Sequence, residues 1–234
     1  MQADERLTHA RNSPASTVGM LLKRDDVKQK LADGKLRASE LNDPEFVWYE
    51  LLLSFSTMGN SRGKQGLIDD RENFARVQFK HLEGLKSSSA RLKELQAVLH
   101  AARVRMPDRK AGWLSAAFDR VAAMGGPGAA KLELQNREGR AGKIDFWRAF
   151  EGIGEKYSRN IMMDVYHPEF RNSIAVDARI EKISKALGLS FKNYDDVEQF
   201  FLSVAQQAGI EGWELDRIMY RFLDEFVKEK GREA

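Results

Sequence analysis

The chain has no cysteine among its 234 residues. That excludes disulfides, thiolate nucleophiles, cysteine-ligated zinc and any iron–sulfur cluster held by cysteines of this chain. Proline is scarce, at five residues, so few positions interrupt a helical pattern. No apolar run approaches the ~18 residues of a membrane-spanning helix. Residues 1–9 mix acids and bases where a secretory signal would carry a basic tip and an apolar block, so an intracellular protein with no membrane partner is expected. The four histidines, His9, His81, His100 and His167, stand apart, with no pair at i, i+4 and no His-Glu-x-x-His, so no metal site is expected. Neither a Walker loop nor a strand followed by a glycine-rich turn is present, which removes the nucleotide-cofactor folds; no cofactor is expected.

What the chain does have is ordinary globular chemistry, 42% apolar and 31% charged, and a length that fits one large domain or two small ones. The net charge of +3 is unevenly spread: residues 61–110 hold 12 basic against 6 acidic groups, and residues 190–234 hold 6 against 10. A local positive excess suits a polyanion-facing surface or simply a solvated helical face.

Apolar residues recur at i, i+3, i+4 while period-2 alternation is scarce, which predicts an all-α protein. Asp43-Pro44 reads as a cap and first helical residue for a helix through Phe46, Trp48, Leu51, Leu52 and Phe55, ending near Gly59. Residues 58–66 hold three glycines without apolar periodicity and read as an exposed loop. Helices follow over 69–85, 88–104, with Ser87-Ser88-Ser89 as its capping region, and 108–124, with Asp108 as N-cap. The polar stretch 135–142 is the best internal boundary. Four helices follow at 144–151, 155–166, 178–187 and 197–208. A final helix carries Leu215, Ile218, Met219, Phe222 and Phe226 as a core-facing stripe.

The chemistry concentrates at Glu151-Gly152-Ile153-Gly154-Glu155, between two short helices too closely spaced for an ordinary linker. This is a helix-hairpin-helix pattern over 144–166. Gly152 and Gly154 permit a sharp turn, Ile153 plugs it, and the exposed amides can receive a phosphate. In the second helix Tyr157, Ile161 and Val165 form the apolar stripe, leaving Lys156, Arg159 and Met163 off it. Lys156 lies in the first turn, where the helix dipole disfavours an ammonium and favours the nucleophilic amine. Downstream, Ile174-Ala175-Val176 leads into Asp177, an N-cap whose carboxylate sits at a helix start.

These residues resemble the helix-hairpin-helix DNA glycosylases of base excision repair, whose hairpin reads Leu-Pro-Gly-(Ile/Val)-Gly-x-Lys-x-Ala and whose downstream Val-Asp supplies the catalytic carboxylate. Here Glu151 and Ser158 stand at the proline and alanine positions. The resemblance is specific over 144–187 and looser over 44–226. It includes the helix from Pro44 with its following loop, and the stretch 214–220, which is similar to the closing helix of small archaeal-type 8-oxoguanine glycosylases. In that family a lysine at the position of Lys156 marks the bifunctional glycosylase and AP lyase enzymes, and the lack of cysteine fits its cluster-free branch.

The resemblance implies two helical lobes, 45–135 and 1–44 with 136–234, and an active-site cleft between them. It implies a monomer acting on double-stranded DNA that holds a damaged base, chiefly 8-oxoguanine, flipped from the stack. Lys156 and Asp177 would be catalytic. Gly152 and Gly154 would hold a phosphate with Arg159 as a second donor, Asn60 would fill the gap left by the flipped base, and Arg62 and Lys64 would track the backbone. Tyr220 and Phe222 would stack on the base. Two other readings stay open: a non-catalytic DNA-binding module that uses the hairpin only for phosphates, and a monofunctional glycosylase that releases bases without cutting the strand.

Overall fold

The computed structural model of the chain describes residues 14–59 and 62–227. All regular structure among the described residues is helical, and none of these helices is long and apolar enough to cross a membrane. The chain forms two compact units, one of Glu40–Gly154 and one of Met1–Ser39 with Glu155–Ala234. Residues 136–154 thus belong with the central unit, whereas the polar stretch 135–142 had placed the boundary before them. The reason lies just downstream of that stretch. Phe146, Trp147 and Phe150 are buried, with Trp147 edge-on to Phe46 at 6.2 Å and Arg120 over the Phe150 ring at 5.4 Å.

In the Glu40–Gly154 unit the helix Phe46–Thr57 buries residues on every side, including Phe46, Trp48, Leu51, Leu52 and Phe55, as expected of a central core helix. It starts two residues after Pro44; Asp43 instead accepts the Glu45 N–H in the turn before it. Trp48 packs edge-on to Phe79 and Phe118, which stack on each other at 4.4 Å. Its indole N–H donates to the Val77 carbonyl at 2.9 Å. That bond takes the carbonyl at the point where the expected 69–85 helix divides into Arg71–Val77 and Phe79–Glu83. Helices Ser88–Ala101 and Pro107–Ala123 follow, the first capped by Ser87. The second is preceded by Met106 in the left-handed region at φ +55°, with Pro107 in its first turn. Asp108 is therefore not its N-cap; it bonds the His100 ring at 3.1 Å.

The glycine-rich stretch is not wholly a loop. Arg62–Leu67 is helical, and a Cβ on Gly63 would lie 2.3 Å from the Ser56 carbonyl oxygen, one on Gly66 2.3 Å from that of Ala102. These glycines serve close backbone approach rather than chain freedom. Helices Pro127–Asn136 and Gly139–Arg148 complete the unit.

The other unit contains helical residues 14–21, then Asp25–Leu36, Glu155–Asp164, Ala178–Ala186, Tyr194–Ala208, Gly212–Arg221 and Leu223–Val227. Trp213 anchors it from the interior, donating its indole N–H to the Met163 carbonyl at 2.6 Å. The expected final helix breaks at Phe222, whose backbone leaves helical geometry at φ −117°, ψ 37°. Leu215, Ile218, Met219 and Phe226 are buried nonetheless. Helix Glu155–Asp164 is packed on more of its surface than one stripe: Arg159 and Met163, expected off the seam, are buried with Ile161 and Met162.

Candidate functional site

The stretch before Asp177 has no helix or sheet to satisfy its amides; two buried carboxylates and a half-buried tyrosine do it instead. Ile174 N donates to Glu198 Oε1 at 3.0 Å, Ala175 N to Asp216 Oδ1 at 2.8 Å, and Val176 N to the Tyr194 hydroxyl at 2.9 Å. The Tyr194 O–H donates onward to the Ile174 carbonyl at 3.0 Å. Burial pushes the Asp216 carboxyl up to about 6 and raises the Tyr194 phenol, because low-polarity surroundings penalise the charged form. None of these three is a candidate from the sequence alone. Their signal was there for two of them: Glu198 beside Val197, Phe200 and Phe201, and Asp216 beside Leu215, put acids among core positions, where a carboxylate needs a partner.

This scaffold delivers Asp177 to the start of helix Ala178–Ala186 as its N-cap. Oδ1 accepts the N–H groups of Arg179 at 2.9 Å and Ile180 at 3.2 Å. Oδ2 is left to face cations: Arg179 Nη1 at 3.4 Å and Lys156 Nζ at 4.0 Å. The Asp177 side chain is 13% exposed and that of Lys156 34%, so the pair is reachable from solvent but not surrounded by it. Lys156 Nζ also lies 4.7 Å from the Tyr157 ring centroid. Arg179 stacks on Tyr220 at 4.0 Å, and Tyr220 is half exposed. Lys156, Asp177 and Tyr220 are therefore linked through Arg179, a residue the sequence reading had not named. Phe222 goes elsewhere, under Arg24 at 4.9 Å.

Arg159 is not available as a phosphate donor. It is 5% exposed and its guanidinium is engaged by Glu155, by Glu198 at 3.2 Å and by the Tyr194 ring at 4.3 Å. Position 159 faces inward beside Ser158 and Met162, and the buried Glu198 requires a cation. Its role is to hold the carboxylate that in turn holds Ile174.

The turn between Gly139–Arg148 and Glu155–Asp164 belongs to the other unit as far as Gly154. Gly152 takes φ +87°, a value that favours glycine, and Ile153 is buried. A Cβ on Gly154 would meet nothing within 4 Å, so the turn is open on that side. Glu151 accepts a hydrogen bond from the Trp113 indole. Of the loop candidates, Asn60 lies outside the described residues, Arg62 is exposed, and Lys64 is tied to Asp69 at 2.6 Å. Among the described residues no three His, Cys, Asp or Glu side chains gather where they could hold a metal ion.

No protein-family model matches the chain, and no curated protein is similar to it in sequence.

Proposed function

We propose that the chain is a bifunctional DNA glycosylase and AP lyase that excises an oxidised purine, 8-oxoguanine in the first instance, from double-stranded DNA inside the cell. The observation that carries this reading is the placement of Lys156 Nζ 4.0 Å from the outward oxygen of a carboxylate whose other oxygen is fixed as a helix cap. A primary amine beside a held carboxylate is the minimum set for Schiff-base chemistry on a sugar.

Chemistry on a base requires its removal from the stack, at a cost of a few kcal/mol. The Lys156 amine attacks C1′ as the bond from C1′ to the base breaks, and the departing base takes up a proton. Asp177 stabilises the positive charge that develops on the sugar and receives the proton lost by the amine, through one water or a small rotation across the 4.0 Å gap. The Lys156 nitrogen then forms the iminium as the C1′–O4′ bond breaks and O4′ takes up the proton held by Asp177; loss of the C2′ proton to water expels the 3′ phosphate by β-elimination and cuts the strand, and hydrolysis of the imine frees Lys156. Arg179 and Tyr220 border the pair, Tyr220 offering a half-exposed ring for stacking. The amides of Gly152 and Gly154 supply a phosphate contact, the Ile153 N–H between them being turned back onto the Phe150 carbonyl at 3.1 Å.

Borohydride trapping tests this directly. Wild type and Lys156→Gln are incubated with duplexes that carry 8-oxoguanine, an abasic site or no lesion. A covalent adduct on the lesion and on the abasic site, absent with the variant, is expected. No adduct on either substrate overturns the lyase. Base release without cleavage would then point to a monofunctional glycosylase, and salt-dependent binding alone to a non-catalytic module.

A further inference from the structure

The turn at Gly152 carries a residue at odds with an anion site. Backbone amides receive a phosphate best where the potential is positive, yet Glu151 puts a carboxylate one residue before Gly152. In the structure that carboxylate is tethered: Glu151 Oε1 accepts a 3.0 Å hydrogen bond from Nε1 of Trp113, on helix Pro107–Ala123. The same indole lies against the turn. A Cβ on Gly152 would come within 2.6 Å of Trp113 Cε3 and 2.7 Å of Cδ2, so the ring occupies the place of a side chain. Phe55 flanks the ring, with centroids 5.7 Å apart, and the Arg109 guanidinium lies 4.9 Å from its centroid. Trp48, Trp147 and Trp213 are at most 2% exposed, whereas Trp113 is half-buried.

We infer that Trp113 is a positioning residue for the phosphate-receiving turn, its N–H holding the Glu151 carboxylate on the indole so that it does not compete with a DNA phosphate for the turn amides. This rests on the DNA-binding reading above. The ligand is the phosphodiester backbone, so the effect is independent of lesion and of Lys156. Removing the indole N–H frees a negative charge to approach the bound phosphate. Removing the charge as well makes the N–H unnecessary.

Duplex binding by fluorescence anisotropy at several salt concentrations tests this with wild type, Trp113→Phe, Glu151→Gln and the double variant. Trp113→Phe keeps an aromatic ring at Gly152 and should weaken binding about fivefold, the repulsion of two unit charges about 4 Å apart in water. Glu151→Gln alone should stay within about twofold of wild type, and the double variant should return to that range, as expected when an exposed charge is removed. Such recovery by a charge change is not what a packing defect would give. Glu151→Asp, which keeps the charge but lacks the reach to the indole, should weaken binding like Trp113→Phe and serves if that variant does not fold. DNA should also shield Trp113 from acrylamide quenching. Wild-type affinity in both Trp113→Phe and Glu151→Asp, or a double variant as weak as Trp113→Phe, overturns the inference while leaving the DNA reading intact. Absence of salt-dependent duplex binding by wild type removes both.

Discussion

Asp177 does two jobs with two oxygens, and substitutions can separate them. Oδ1 accepts the Arg179 and Ile180 amides, while Oδ2 faces Lys156 and Arg179. Asparagine caps a helix about as well as aspartate, so Asp177→Asn keeps Oδ1 on both amides and replaces only the outward oxygen by an uncharged amide. Its stability should match wild type to within a few tenths of a kcal/mol. Asp177→Ala loses the cap as well, at about 1 kcal/mol, which in a chain of this size lowers the Tm by about 2–4 °C. Catalysis should not follow stability. Both variants lose the charge that faces the sugar, and both should slow single-turnover base excision by about 10²–10³-fold, the usual cost of deleting a preorganised electrostatic partner. The assay pairs thermal melts with single-turnover excision and borohydride trapping. Full trapping and excision by Asp177→Asn would refute the role of the carboxylate. A melt as low as that of Asp177→Ala would refute the assignment of Oδ1 as the cap.

Two predictions concern buried ionisable groups. The Asp216 carboxyl is pushed up to about 6 by burial, so between roughly pH 4 and 6 the folded chain binds a proton that the unfolded chain has released; this group's contribution to stability therefore falls as pH rises through that window and is level above it. Asp216→Asn retains an acceptor for the Ala175 amide and should flatten that slope in denaturant titrations; an unchanged slope would refute the assignment. Lys110 is fully buried, donates to the Met58 carbonyl at 2.7 Å, and is lowered to about 8 by burial with Arg105 adding to the effect. The unfolded lysine keeps its proton to higher pH, so stability should rise between about pH 8 and 10.5. Lys110→Met should abolish that rise while costing about 1–3 kcal/mol for the orphaned carbonyl, measured as urea midpoints at pH 7 and 9.5.

The sequence and the structure part company where a side chain on one element takes a backbone group on another. The helix through Asp177 was legible because an aspartate before an amphipathic run is a local signal, and the cap is a local bond. The division at Val77 was not, since it coincides with a bond from the Trp48 indole 29 residues away. Arg159 reads as a surface residue because a ten-residue helix with a polar first turn leaves the position of its seam ambiguous by one residue in either direction. The glycines at 63 and 66 look in sequence like any flexible run, and only the carbonyls pressed against them show that they are packing residues. Lys156 and Asp177 are legible as a pair only through the family resemblance; the bonds that hold the stretch leading to Asp177 come from Glu198, Asp216 and Tyr194, which act together only in three dimensions.

The stretch 174–176 also bears on how the chain avoids self-association. A run of Ile-Ala-Val outside any helix, with its N–H groups unclaimed, is the kind of segment on which a second molecule adds a strand and from which aggregates grow. Here all three donors are occupied from within by a glutamate, an aspartate and a tyrosine. An incoming strand would have to break hydrogen bonds to two buried carboxylates and a half-buried phenol before it could form its own. The acids that set the carboxylate in place thus act as gatekeepers as well, and variants that empty either position should show it first as loss of soluble yield on storage.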